Sequence, residues 1–235
     1  MQATVREKTE VAEGTLLVTF DLLGREVSFE PGQYFWVTLP EPAYEDERGA
    51  RRHFTVVTSP DEHGVLGFCT RLRESAFKRS VAELPVGAEV DVEEPKGSFA
   101  LPDDPDRPLV FVAGGIGITP FRSMLRFLDA REPAPPVTLV YANRDRRGTA
   151  FLDELRDLER RRDWFRLVLL LTDDPEWEGD TRRPSADVIA DHVGDLGGYT
   201  FLVAGPPGMS EAVADDLRAA GVEEEHVRAE KFSGY

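Results

Sequence analysis

Polar and apolar positions follow two different rhythms along this chain. In the first hundred residues the runs "TLLVTFDL" (15–22), "GQYFWVTLP" (32–40), "RHFTVVTSP" (52–60), "GVLGFCTRL" (64–72) and "GAEVDVEEP" (87–95) mix β-branched and aromatic residues with polar ones, among glycines and prolines. Many short strands at such close spacing predict a small antiparallel barrel or sandwich. Within this stretch "SAFKRSVAEL" (75–84) places Phe77, Val81 and Leu84 at helical spacing, so a short helix interrupts the strands. The proline- and aspartate-rich "LPDDPDRP" (101–108) reads as a linker. Beyond it the apolar positions gather into solid runs, "LVFVAG", "VTLVYAN", "RLVLLLT" and "YTFLVAG", each followed by a helical pattern. The helices are expected over 120–130, 149–162, 185–193 and 209–220, the last closed by Gly221. This alternation predicts a doubly wound, mostly parallel α/β sheet with helices on both faces. The expected domains are therefore residues 1–101 and 108–235.

The candidate chemistry begins at "VFVAGGIGITPFRSML" (110–125), where a buried strand runs into Gly114, Gly115 and Gly117 and then a helix. Thr119 suits an N-cap and Pro120 the first helical position, where a missing N–H costs nothing. Strand, glycine loop and helix start together suit an anion, because free amides and the helix dipole converge there. A tight turn with nothing bound is the alternative reading. The dinucleotide pattern G-x-G-x-x-G is broken, since Pro120 stands where the third glycine belongs. A second glycine turn, "AGPPGM" (204–209), also follows a strand, and in such sheets ligands bind beyond the strands' carboxyl ends.

Charge and composition narrow the partners. A net charge of −16 and a pI near 4.7 argue against nucleic acid and against anionic membrane surfaces. The single cysteine, Cys69, excludes a disulfide framework and a cysteine-ligated iron–sulfur cluster within one chain, and four histidines without ligand spacing predict no metal site. No apolar run reaches the length of a membrane span and "MQATVREKTE" has no signal-peptide core, so a cytoplasmic location is expected.

In "RRHFTVVTSP" an arginine, an aromatic and a hydroxyl fall close together at Arg52, Phe54 and Thr55. As an ordinary strand, Phe54 and Val56 would be core and Arg52 a solvated charge. With "PGQYFWV" before it and "GGIGITP" and "AGPPGM" after it, in that order, the chain resembles the ferredoxin–NADP reductase family over roughly residues 31–235. The resemblance implies a six-stranded antiparallel flavin barrel followed by a nucleotide-binding α/β domain. Arg52, His53, Phe54 and Thr55 match the family's R-x-Y-S/T signature, with phenylalanine in place of tyrosine. Arg52 would then pair with flavin phosphate, Phe54 cover the isoalloxazine ring and Thr55 hydrogen-bond near flavin N5. Lys78, Arg79 and Ser80 resemble the helix start that receives the FAD pyrophosphate, and Gly97-Ser98 resembles a second flavin turn. Gly115, Gly117, Thr119 and Pro120 would hold NADH or NADPH, and Gly205 and Pro206 would close over the nicotinamide.

Ala204 replaces the family's cysteine before that turn. Glu230 falls where the family often has a carboxylate near the flavin, though a solvent-facing glutamate fits equally. Tyr235 resembles a terminal flavin-stacking aromatic, with a plain tail as the alternative.

The implied activity is an FAD-dependent NAD(P)H oxidoreductase that takes hydride onto flavin N5 and passes electrons to a separate acceptor. That acceptor would be a ferredoxin, a flavodoxin or an oxygenase component, with Arg48, Arg51, Arg71, Arg73, Lys78 and Arg79 as a local basic docking patch; the reductase is expected to be a monomer. A non-catalytic nucleotide sensor or scaffold is the competing reading, favoured only by Ala204. For the coenzyme, Asp173 repels a 2′-phosphate and favours NADH, whereas Arg144, Arg182 or Arg183 would favour NADPH.

Overall fold

The computed structural model describes residues 1–102, 107–131 and 133–232. By contacts it divides into two compact units, Met1–Leu101 with Thr119–Ala130, and Pro102–Ile118 with Arg131–Tyr235. Residues 103–106 of the linker stretch and Tyr235 lie outside the described residues.

The first unit is an antiparallel sheet of six strands, β1 (Gln2–Ala12), β2 (Thr15–Asp21), β3 (Tyr34–Thr38), β4 (Arg51–Thr55), β5 (Val65–Arg71) and β6 (Glu89–Val92), in the order β4-β3-β6-β1-β2-β5. The strands at the two ends of that order approach each other, and Phe54 of β4 stacks on Phe68 of β5 at 4.0 Å between centroids, which closes the barrel. Phe20, Phe35, Phe68 and Phe77 are essentially fully buried inside it, each stabilising the fold by about 1.5–3 kcal/mol. Helix α1 (Ala76–Glu83) inserts Phe77 and Val81 into this core and is capped by the Ser75 side chain, which accepts from the Lys78 amide.

Helix α2 (Ile118–Asp129) follows the second unit's first strand in sequence, yet from Thr119 onward its contacts are with the barrel. Phe121 meets Phe99 edge-on. Buried Arg122 donates to the Val57 carbonyl at 2.9 Å, and the Ser123 hydroxyl to that of Thr58 at 2.6 Å.

The second unit is a parallel sheet of five strands, β7 (Leu109–Gly114), β8 (Val137–Asn143), β9 (Phe165–Leu171), β10 (Thr200–Gly205) and β11 (Val227–Lys231), in the order β11-β10-β7-β8-β9. Helices α4 (Ala186–Val193) and α5 (Pro207–Ala219) cover the face formed by Val110, Val112, Val140, Phe201 and Val203, and α3 (Leu152–Arg161) packs against β9. The chain steps outward from β7 through β8 to β9, then returns to place β10 on the other side of β7. That reversal makes the carboxyl ends of β7 and β10 the switch point of the sheet.

Three expectations need correction. Strands β1 and β11 were not among the predicted runs, because each carries few buried apolar side chains: Ala3 and Val5 in β1, and Val227 in β11. Thr119 is not an N-cap, and Pro120 is not the first helical residue. A 3-10 turn over Gly115–Gly117 leads directly into α2, so the helix begins at Ile118. Pro120 is the third helical residue, still among the first four whose N–H groups lack an intrahelical acceptor.

Candidate functional site

On the barrel unit the site residues cluster where β4 meets the start of α1. Alternation along β4 sends Arg52 and Phe54 to the side of Val37 and Phe35, their pairing partners, and His53 to the outer side with Tyr34 and Trp36. The Arg52 guanidinium donates to the carbonyls of Arg48, Gly49 and Arg51 at 2.8–2.9 Å and pairs with Asp46 at 3.1 Å. It also lies 5.6 Å from the centroid of Phe77, in the first turn of α1. Partial burial lowers the His53 pKa from its ordinary value. Thr55, which ends β4, is 5% exposed.

Lys78 follows Phe77 in that turn. Burial, and the nearby charge of Arg73, push its ammonium below the ordinary lysine range. Among the described residues it has no carboxylate partner. Arg79 is exposed and stacks over the Tyr44 ring at 3.8 Å. A chain of net charge −16 thus gathers Arg52, Arg73, Lys78 and Arg79 around one helix start, and a phosphate-bearing ligand fits that donor set. Ser80 is placed differently from expectation. Its buried hydroxyl accepts from the Tyr44 amide at 2.9 Å and donates back to the Tyr44 carbonyl, so it fixes a loop rather than facing a ligand. Gly97 has φ +126°, and its carbonyl accepts from the Gln33 side chain at 3.1 Å.

On the sheet unit the two glycine turns interlock at the switch point. Gly115 has φ +55°, a conformation that costs glycine little. A Cβ on Gly117 would run into the Ala204 carbonyl and come within 2.8 Å of the Gly205 Cα. A Cβ on Gly205 would come within 3.1 Å of the Gly114 nitrogen, and Met209 fills the notch beside these two glycines. Small residues at three positions therefore leave the strand ends in backbone contact, with the Met209 thioether packed against them. Pro206 is exposed and extended before α5, with Pro207 as its first residue.

Glu230 pairs in register with Ala204 across β10 and β11. Its Oε2 is buried and has no hydrogen-bond partner among the described residues, and burial pushes the carboxyl up to about 7. Neither a plain solvent-facing glutamate nor a structural ion pair describes it. Thr119 is buried and Asp173 exposed. The Asp173 carboxylate pairs with Arg144 at 3.0 Å, both side chains largely in solvent, while Arg146 clasps Asp174 and Glu176. The two residues expected to pull coenzyme choice in opposite directions are thus partners. Sequence reasoning passed over Met209, although it lies in the same turn as Gly205; the signal was two glycines facing one long unbranched side chain.

Comparison with known proteins matches residues 2–101 to an oxidoreductase FAD-binding domain and residues 111–215 to an oxidoreductase NAD-binding domain. Reductase component 2 of a Comamonas terephthalate 1,2-dioxygenase is 28% identical over 98% of this chain and 68% of its own length. The reductase subunit of an Amycolatopsis aromatic O-demethylase is 27% identical over 99% of this chain and 69% of its own length. Among solved structures, an Amycolatopsis cytochrome P450 reductase superposes with a TM-score of 0.84 at 27% identity, covering 99% of this chain and 70% of that one. Phthalate dioxygenase reductase shares the fold, with a TM-score of 0.79 at 22% identity, covering 100% of this chain and 69% of that one. Two contiguous cofactor-domain matches in the family's order, on the barrel and the switched parallel sheet that carry its motifs, lead to one conclusion: the chain belongs to the ferredoxin–NADP reductase-like family of FAD-binding oxidoreductases.

Proposed function

We propose that this protein is the reductase of a bacterial-type oxygenase system, using FAD to take hydride from NADH and to feed electrons to a separate oxygenase or ferredoxin component. The observation that carries this reading is the interlocked pair of glycine turns at the switch point, on a chain whose barrel bears Arg52, Phe54 and Thr55 in the flavin signature. The relatives named as reductase components of a dioxygenase and an O-demethylase support the choice of acceptor.

Bound FAD would supply the conversion between a two-electron hydride donor and one-electron acceptors. The chain's residues hold and orient. Arg52, Lys78 and Arg79 would receive the flavin's phosphates, with Arg52 already set by three carbonyls and Asp46. Phe54, with one ring face already stacked on Phe68, would offer the other, and Thr55 a hydroxyl at the end of β4. The amides of the 115–117 turn and the start of α5 would take the dinucleotide pyrophosphate. Glu230, with a carboxyl that titrates near neutrality, would hold or release a proton beside the Ala204–Pro206 turn. Asp173 would accept from the adenosine ribose hydroxyl, and its charge would oppose a 2′-phosphate. Arg71 and Arg73 flank exposed Leu72, and with Arg48 they would serve acceptor docking. Arg51 is already paired to Glu93 and stacked on Trp36.

The sensor reading rested on Ala204, which is fully buried between Ala113 and Glu230 in the sheet and leaves the notch intact. Anaerobic stopped-flow reduction by NADH and by NADPH, followed by mixing with candidate oxygenase and ferredoxin components, tests the proposal. It expects faster reduction by NADH and re-oxidation by at least one such component; re-oxidation by none of them would overturn the choice of acceptor.

A further inference from the structure

We propose that Met209 is a positioning residue for the pyridine nucleotide, a thioether wedge that fixes the spacing of the two glycine turns. The inference rests on the nucleotide-site reading above and adds a residue to it. Gly114 sits in extended backbone, with φ −112° and ψ 114°, a conformation open to any residue. Gly205 likewise has no positive φ. Neither glycine is needed for backbone freedom, so space must explain them. A Cβ on Gly114 would collide with the Met209 sulfur and lie 3.0 Å from both Met209 Cε and Pro206 Cδ. A Cβ on Gly205 would lie 2.8 Å from Met209 Cε and 3.1 Å from the Gly114 nitrogen. A side chain at either position would press on the Met209 thioether, and one on Gly205 would press on the Gly114 backbone as well.

The wedge is itself anchored. Met209 and Ser210 both donate their amides to the Pro206 carbonyl at 3.0 Å, so the first turn of α5 sets where the side chain starts. On the far side Gly205 accepts from the Phe232 amide at 3.0 Å, tying the β10 turn to the end of β11. The β7–β10 ladder pairs the two strands as far as Ala113 and Ala204, and just beyond it the thioether lies against both Gly114 and Gly205. An unbranched, polarisable side chain suits such an irregular gap. A dinucleotide that must meet amides from both turns at once binds best when their separation is fixed beforehand.

The test uses flavin-loaded protein and two readouts, calorimetric binding of NAD⁺ and steady-state kinetics with NADH. Met209→Ala is expected to weaken NAD⁺ binding and raise KM about three- to tenfold, with kcat changed less than twofold and flavin content unchanged. Met209→Leu, of similar volume, is expected to restore most of the affinity. Gly114→Ala is expected to weaken binding as well, and Gly114→Ala with Met209→Ala to recover part of the loss, since the added methyl enters the vacated space. Unchanged NAD⁺ affinity in Met209→Ala overturns the proposal, as does equal loss of kcat and affinity. Gly117→Ala separates the two levels. If it abolishes NAD⁺ binding while Met209→Ala is silent, the nucleotide site stands and the wedge falls. If both are silent, the site reading falls with it.

Discussion

Replacing Glu230 by glutamine should make the protein more stable at alkaline pH and leave it unchanged in mild acid. Glu230 ionises near 4.5 in an unfolded chain, whereas burial without a partner for Oε2 holds its proton to about 7 in the fold. Below pH 4.5 both states carry the proton and the group costs nothing. As pH rises toward 7 the unfolded chain ionises first, so stability drains away across that window and then levels off. The gap between 4.5 and about 7 corresponds to about 3 kcal/mol, at roughly 1.4 kcal/mol for each tenfold change in proton affinity. Glutamine mimics the neutral acid at every pH and should escape this loss. For a chain of 235 residues, a difference of that size moves the melting midpoint by about 5–10 °C. Melting curves of both proteins, at saturating FAD and at half-unit steps from pH 4.5 to 8.5, give the comparison directly. The curves should coincide near pH 4.5 and separate progressively, with Glu230→Gln higher at pH 8. Parallel profiles, or a variant that melts lower at pH 8, would refute the reading of Glu230 as a buried, unpartnered carboxyl.

Arg52→Ala should weaken FAD binding about ten- to a hundredfold in a fluorescence titration, because one charged donor set is lost at the phosphate end. Arg52→Lys should not rescue it, since a single ammonium cannot serve Asp46, three carbonyls and a phosphate together. Asp173→Arg should raise kcat/KM for NADPH relative to NADH by about tenfold, with Arg144 released from its present pair to assist; an unchanged ratio would remove Asp173 from coenzyme selection. Cys69, 4% exposed with its thiol pushed up to about 12 by burial, should ignore thiol reagents at pH 8 until the protein is unfolded.

Much of this architecture was legible where burial is one-sided or complete. Residues of β7 and β10 are buried throughout, so their runs announced themselves, and α1 showed its face through Phe77 and Val81. Strand β1 hid because "REKTEV" presents mostly polar side chains; its place is held by pairing with β2 and β6 rather than by apolar content. The start of α2 was misplaced for a related reason: a 3-10 turn supplies the helix entry, so the capping residues near it were decoys. At the site, motif order located the turns, whereas partnerships between distant residues were invisible. The Arg144–Asp173 pair spans two loops, the Ser80 hydroxyl answers to Tyr44, and Met209 lies against two glycines whose backbones need no glycine. Glu230 gained its meaning only from burial next to Ala204.

The central claim is that one chain binds FAD and lets reduced pyridine nucleotide reduce it. Anaerobic mixing of the FAD-loaded protein with one equivalent of NADH, watched at the flavin's visible absorbance, tests it most directly. The expected result is rapid bleaching of about one FAD per chain, with colour returning on admission of an electron acceptor. A protein that takes up no FAD, or whose bound FAD stays oxidised under excess NADH and NADPH alike, would contradict it.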